Sequence, residues 1–318
     1  MENPQRPAPV MTRSQIILEV VSDMVRDSGW EYAQSQVQLR RQGDPEWVYT
    51  LFASDAPGAI HQVARREVDV AIANPSSVLT VASRGRGPFT QPVPLRGITV
   101  IPSLDWFGFF VAASTGLHSL ADIKAQKFPL RVSLRAQRDH AVHLYVDEAF
   151  KAYGFTREDI LAWGGSISYD RGLPADPARY GKLKTGEVNA IFDEAVTRFI
   201  PLMNELNLRL LPLEDSIARE LDAAGFAVSA IPRSLFPNLD ADVPAMDFSG
   251  WPIYTHAEAD DNLIYRFCRS LDARKAIIPW QQARPLPLDE MCHNTPDTPL
   301  GIPLHPAAER YWREAGYL

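Results

Sequence analysis

Apolar residues recur along the chain at two spacings, and the alternation between them outlines its elements. An i, i+3, i+4 spacing predicts helices over SQIILEVVSDMVRDSG (14–29), PGAIHQVARRE (57–67), HAVHLYVDEAFKAYG (140–154) and ADDNLIYRFCRSLDARKA (259–276). Short β-branched and aromatic runs bounded by turn residues predict strands at GITVI (97–101), WFGFFVAA (106–113), LRVSL (130–134), LRLLPL (208–213) and WPIYTH (251–256). Strand and helix alternate throughout, which argues for α/β sheets with helices on their faces. In WFGFFVAASTGLHSLADIK (106–124) a strand passes through a Ser-Thr-Gly turn into a helix that Ser119 caps ahead of Leu120 and Asp122. A new sheet is expected to start there. On this pattern the chain divides into a first lobe, 1–113 plus 213–318, and an inserted second lobe, 114–212, joined by two crossovers that form a hinge.

One internal match stands out. RREVDVAIANPSSV (65–78) and TGEVNAIFDEAV (185–196) each read as a helix end, then Glu-Val-Asp/Asn, then an apolar strand with a polar tip. Ligands in open α/β sheets bind beyond the carboxyl ends of strands. That rule makes Asn74, Ser76 and Ser77 in the first copy, and Asp193 and Glu194 in the second, candidate ligand-binding residues. The alternative is that both copies are ordinary helix-to-strand units.

Composition narrows the function. The chain has 318 residues, 46% hydrophobic and 22% charged, close to the globular average and unlike disordered or collagen-like sequences. At about 150 residues per domain there is room for roughly two domains. With 32 Lys and Arg against 39 Asp and Glu the net charge is −7, which lacks the basic excess that a phosphate backbone demands. Nucleic acid is therefore not an expected partner. No run approaches the roughly 18–20 apolar residues of a membrane span, so no membrane insertion is expected. The start, MENPQRPAPVMTRSQIILEV, has charges and prolines where a signal peptide has an apolar block and a small-residue cleavage site, and the expected location is cytoplasmic. Prolines, 26 in all, cluster in 1–10, 88–102, 232–252 and 279–306 and predict stiff connectors there. Cys268 and Cys292 belong to no CxxC or metal-spaced cluster and read as buried thiols.

The segments REVDVAIAN, LRGITVIPSLDWFGFFVAASTGLHSLADIK, KLKTGEVNAIFDEAV, AGFAVSAIPRSLFPNL and the tail GIPLHPAAERYWREAGY (301–317) resemble the TAXI group of TRAP-transporter solute receptors. The resembling stretches span roughly residues 57 to 317, and the tail is the most specific of them. The resemblance implies a two-lobe, type II periplasmic-binding-protein-like α/β fold with a hinge and an interlobe cleft. It also implies a receptor for a small, often carboxylated solute that is handed to TRAP transporter membrane subunits. Three features depart from the family. Its Gly-rich first strand-to-helix turn is replaced by QIILEVVSDMV, which has no glycine. Its small Gly/Pro/Ser-rich loop in the second lobe is replaced by SLRAQRDHAVHLYVDE (133–148). Family members are exported, which makes the periplasm the alternative location.

That second-lobe loop holds the main candidate site. A helix start directly after a strand brings unpaired N–H groups and a positive dipole end to Ser133, Arg135, Gln137 and Arg138, and an Arg fork matches a carboxylate. Arg135 is the expected principal anchor and Arg138 a secondary one, with Ser133 beside them. The competing reading leaves both arginines solvated or pairs them with Asp139 and Glu148. His140 and His143 share a helix face, but no third ligand stands at a metal spacing, so no metal is expected. His140 is placed at the ligand and His143 in the helix packing. Asp105 and Trp106 at the first crossover, like Trp251 and Tyr254 at the other, either line the cleft or belong to the core. His305 in the tail reads as structural. No Ser/His/Asp order, phosphate loop or dinucleotide fingerprint is present, and no cofactor is expected. The expected function is a receptor for a small carboxylate. The alternative is a cytoplasmic lyase or decarboxylase on the same fold, with Arg135 fixing the acid and His140, Asp193 or Glu194 moving the proton.

Overall fold

Runs of β-branched and aromatic residues become strands that sort into two sheets. The computed structural model of the protein describes residues 13–28, 32, 34–41, 43–54 and 56–318. The proline cluster in 1–10 and Gly29, the end of the first expected helix, lie outside the described residues. The strands in chain order are β1 (Gln34–Arg41), β2 (Asp44–Ser54), β3 (Val70–Ile72), β4 (Leu95–Ile101), β5 (Trp106–Ala112), β6 (Arg131–Arg135), β7 (Ser166–Asp170), β8 (Ala190–Asp193), β9 (Leu208–Leu211), β10 (Val228–Ile231), β11 (Val243–Asp247) and β12 (Trp251–His256). Among the described residues the first sheet has the order β1-β2-β3-β12-β4. The second has the order β10-β11-β5-β8-β6-β7, with β9 also on β5.

This is the α/β architecture in two sheets that the sequence predicts. Sheet membership differs from the expected limits at 113 and 213. β5, β10 and β11 all lie in the second sheet, so the chain passes between sheets at 102–105 and again at 248–250. The reason is burial. β5 is an inner strand with β8 on one side and β9 and β11 on the other, and a strand covered on both faces is apolar at every position. Phe107, Phe109 and Val111 enter one core while Trp106 and Phe110 enter another. Gly108 sits between them because a Cβ there would reach the Phe110 ring and come within 2.9 Å of Val196.

The two crossovers run side by side. Phe248 N–H donates to Asp105 O (2.9 Å) and Gly250 N–H to Ser103 O (2.8 Å), while Asp105 N–H donates to Ser249 Oγ (3.1 Å). Gly250 has φ +78, where a side chain would be strained, and a Cβ there would collide with Ser76 Oγ.

The repeated sequence device is a repeated structure. Arg66 (φ 61) and Gly186 (φ 73) make the same left-handed helix exit, and Val68 and Val188 are both buried. Asp69 accepts the N–H of Thr50 at 2.8 Å, and Asn189 accepts that of Arg131 at 2.8 Å. Each carboxamide or carboxylate thus ties its strand to the parallel neighbour, and Asn74 and Glu194 end up at equivalent tips.

Helix signals from the sequence are largely met. Ser119 forms a capping box with Asp122 on helix Leu120–Ala125, and helices Gly58–Ala64, Ala141–Ala152 and Asp261–Arg274 fall within the expected spans. The tail helix Pro306–Glu314 closes the first lobe's outer core. Trp312 is fully buried there and donates to Ile98 O at 2.8 Å. His305 is structural, as read: its Nδ1 caps this helix by accepting Ala307 N–H at 3.2 Å. Cys268 and Cys292 are free, buried thiols in that same core. Helix Arg13–Ser28, the glycine-free stretch, exposes Ile16, Ile17, Val20, Val21 and Met24.

Candidate functional site

Parallel pairing of β6 with β8 places their carboxyl ends together, so Arg135 and Asp193, the last residues of the two strands, face each other. Arg135 grips Asp193 through Nε (3.1 Å) and Nη2 (2.6 Å), and Nη2 also bonds Glu194. The two sequence-derived groups, the loop arginine and the second strand tip, are therefore one cluster. Its partners are the distant Asp193 and Glu194, where the competing reading paired Arg135 with Asp139 and Glu148.

Arg179 completes the cluster and was missed from the sequence. Its guanidinium is completely buried and bonds Asp193, Ser133 Oγ (3.0 Å), Ser133 O (3.3 Å) and Gly172 O (3.0 Å). Asp176 and Pro177 at its helix start are a legible cap, but nothing local distinguishes a buried arginine from a solvated one one turn later. Ser133 also donates to Asp170 (2.7 Å), which Lys182 holds from the other side at 2.9 Å. Ser133 is thus engaged by the protein itself.

The electrostatics follow from this packing. Burial would raise Asp193, but Arg135 and Arg179 outweigh it and hold the carboxyl at about 2. Burial raises Asp105 well above its ordinary value, and Glu194 beside it adds to the shift. Glu194 is raised as well, by burial and by Asp193. The guanidiniums of Arg135 and Arg179 thus share one buried cluster with the carboxyl groups of Asp193, Glu194 and Asp105.

Asp105 acts as a structural fastener. It accepts Ala195 N–H (2.8 Å), Val196 N–H (3.1 Å) and Trp106 N–H (2.8 Å), which ties the first crossover to the β8 tip. Trp106 takes the core alternative. It is buried, donates to Ser229 Oγ at 2.8 Å and meets Phe236 edge-on. Arg138 is exposed and lies over the Tyr169 ring, 3.0 Å from its centroid. Tyr254 is buried in the core.

His140 and His143 are spent separately. His140 caps helix Ala141–Ala152 through Nδ1, which accepts Val142 N–H at 3.2 Å. Burial pulls its pKa down to about 3, and Arg135 adds to the effect. His143 Nε2 meets the carbonyls of Arg135 and Gln137, each at 3.0 Å, and so pins the loop. Among the described residues no group of three or more His, Cys, Asp or Glu is arranged for a metal.

First-sheet tips reach the same place. Ser76 N–H donates to Ser249 O (3.1 Å) on the second crossover, next to Phe248, on which the His140 ring is stacked (centroids 6.2 Å apart, planes at 2°). Ser77 bonds Tyr145, whose hydroxyl also donates to Asp247 O at 2.9 Å. Arg135, Glu194, Asp105, Ser249, Ser76, Phe248 and His140 are thus linked in one chain of contacts at the sheet junction. Three buried polar atoms there or nearby in sequence, Asn74 Oδ1, Ser76 Oγ and Gln137 Nε2, have no hydrogen-bond partner among the described residues.

The sequence profile of the NMT1-like family matches residues 48–316. Among solved structures, the chain is similar to the alkanesulfonate-binding protein SsuA from Xanthomonas axonopodis pv. citri bound to MOPS, at 14% identity and TM-score 0.35, over 70% of this chain and 60% of that one. It is similar to the periplasmic aliphatic sulphonate binding protein SsuA from Escherichia coli at 12% identity and TM-score 0.35, over 68% and 57%. It is also similar to the glycine/betaine/L-proline-binding protein ProX from Borrelia burgdorferi at 8% identity and TM-score 0.37, over 67% and 66%. The chain spans less than two-thirds of the length of each.

Proposed function

Because the chain belongs to the NMT1-like family, we propose that it is a solute-binding receptor that takes a small carboxylated organic molecule between two lobes. The lobes are the first sheet with the C-terminal helices and the segment 106–247, and they close about 102–105 and 248–250. One observation carries the reading. Asn74 Oδ1, Ser76 Oγ and Gln137 Nε2, at or just beyond tips of both sheets, are buried without partners among the described residues, whereas buried polar groups are normally hydrogen-bonded. A solute polar at more than one position supplies what they lack.

The carboxylate preference rests on Arg135. Asp193 and Glu194 occupy its Nε and Nη2, which leaves Nη1 with no hydrogen bond among the described residues. A carboxylate oxygen is a strong acceptor for that edge. Hand-over of the solute to transporter membrane subunits is the proposed use.

The lyase reading is left with Glu194. A general base works best with a pKa near the working pH; Asp193 near 2 and His140 near 3 lie far from it, and Glu194, though raised, is engaged by Arg135. The test is thermal shift and calorimetry with benzoate, phthalate and glutarate, with glucose and putrescine as controls, and with each acid assayed for turnover. At 100 times its Kd a bound acid stabilises the protein by about 2.7 kcal/mol. Stabilisation by glucose or putrescine and by none of the acids refutes the carboxylate reading, and consumption of an acid refutes the receptor.

A further inference from the structure

We propose that His140 is a specificity-determining residue of this solute site, an uncharged imidazole whose Nε2–H is held ready as a single donor to an acceptor oxygen of the solute. The inference rests on the receptor reading above and adds to it the identity of one recognising group.

Helix N-caps are ordinarily Ser, Thr, Asp or Asn, whose short side chain presents its oxygen to the helix N–H. A histidine cap adds a second nitrogen on the far side of the ring. Nδ1 spends its lone pair on Val142 N–H at 3.2 Å, so a neutral ring must hold its proton on Nε2. The cap holds one edge of the ring, which lies parallel to Phe248 with centroids 6.2 Å apart, and so sets the direction of that N–H. His140 is only 4% exposed, and its Nε2 has no hydrogen bond among the described residues. That N–H is left for a partner from outside the chain, and it lies in the cluster where the solute is proposed to sit.

The other histidines sharpen the contrast. His143, one turn on, commits its Nε2–H to the Arg135 and Gln137 carbonyls. His305 uses the same capping device on helix Pro306–Glu314, beneath the first sheet. Of these three, His140 alone combines the cap with a free N–H at the junction. The charged and titratable groups acting on it are Arg135 from β6, Asp193 from β8 and His143 from its own helix. Burial, Arg135 and His143 oppose protonation, and Asp193 alone favours it. The ring therefore serves as a donor of constant charge, unlike an acid–base histidine that alternates between states.

The experiment uses the full chain. Nitrogen-15 spectra of histidine-labelled protein, assigned with His140→Asn and His305→Asn, should show His140 as the Nε2–H tautomer, unchanged from about pH 8 to about pH 5. Benzoate and glutarate are the probes, and addition of the one that binds should move the His140 Nε2 resonance. His140→Asn retains an oxygen for the cap and loses the distant donor. Its melting temperature without ligand should match the wild type while its affinity for the bound acid falls about tenfold. An Nδ1–H tautomer, a titration above about pH 5, or undiminished affinity in His140→Asn overturns this proposal alone. If neither acid moves any resonance of the wild type, the carboxylate reading and this proposal fall together.

Discussion

Replacing Arg179 by Met keeps most of the side-chain volume and removes a guanidinium that is completely buried. Four acceptors lose their donor at once: Asp193, Ser133 Oγ, Ser133 O and Gly172 O. Breaking a buried ion pair by removing one partner costs about 3–5 kcal/mol, because the remaining charge stays buried without compensation. Asp193 keeps Arg135, which holds the expected loss near the lower end, about 3 kcal/mol. That is still a large share of the roughly 5–15 kcal/mol that keeps a domain folded. The contrast is Arg313, which pairs with Glu309 at 2.6 Å with side chains 63% and 44% exposed. There Arg313→Met should cost at most about 0.5 kcal/mol. Urea unfolding followed by circular dichroism measures both, and the Arg179→Met/Asp193→Asn double mutant isolates the coupling between the pair, expected to exceed about 1 kcal/mol. If Arg179→Met costs no more than Arg313→Met, the buried cluster does not hold the second lobe together and the account of Asp193 fails with it.

The same cluster predicts a stability maximum on the acid side of neutrality. Asp105 and Glu194 are raised in the folded state, so stability rises as pH falls through their folded values. Asp193, lowered to about 2 from an ordinary value near 3.9, contributes about 2–3 kcal/mol that is fully present above about pH 4 and lost as pH falls towards 2. Unfolding across that range should show both limbs, with Glu194→Gln flattening the upper one; a monotonic profile contradicts the assignment. One chemical change should act in opposite directions at two buried tyrosines. Tyr254→Phe removes a hydroxyl with no partner among the described residues and should stabilise by about 1 kcal/mol, while Tyr145→Phe strips bonds from Ser77 and Asp247 O and should cost about 1–3 kcal/mol, both read as melting shifts. In calorimetry with the acid that binds, Arg135→Ala should lose about 10- to 100-fold in affinity and Arg135→Lys should recover part of it. Arg138→Ala should bind like the wild type, since Arg138 lies exposed on Tyr169; equal losses at the two positions would remove the ranking.

Features that depend on neighbours in sequence were legible from the residues alone. The Ser119–Asp122 capping box lies within four residues, and the Glu-Val-Asp/Asn device reappears as the same helix exit and the same side-chain tie to a parallel strand. Central strands were legible too, because a strand buried on both faces must be apolar throughout, as β5 is. The β1–β2 hairpin escaped because β1, QSQVQLRR, is an almost wholly exposed edge strand whose apolar alternation is limited to Val37 and Leu39.

The amino-acid order by itself determined which segments could be strand or helix, that helices cover sheets, and that two strand tips and one arginine-bearing loop are polar where strands end. Local torsions, caps and periodic burial act over a few residues, and the sequence holds them in full. Tertiary structure alone decided that Arg135 meets Asp193 and Glu194, 58 and 59 residues away, that Arg179 is buried whole, that Trp106 turns into the core, and that His140 lies beside Phe248. Each of these depends on which strand lies beside β6 and on what closes over the loop after it. Charge pairing and desolvation act between whichever groups the fold brings within a few ångströms, and no spacing along the chain encodes that distance.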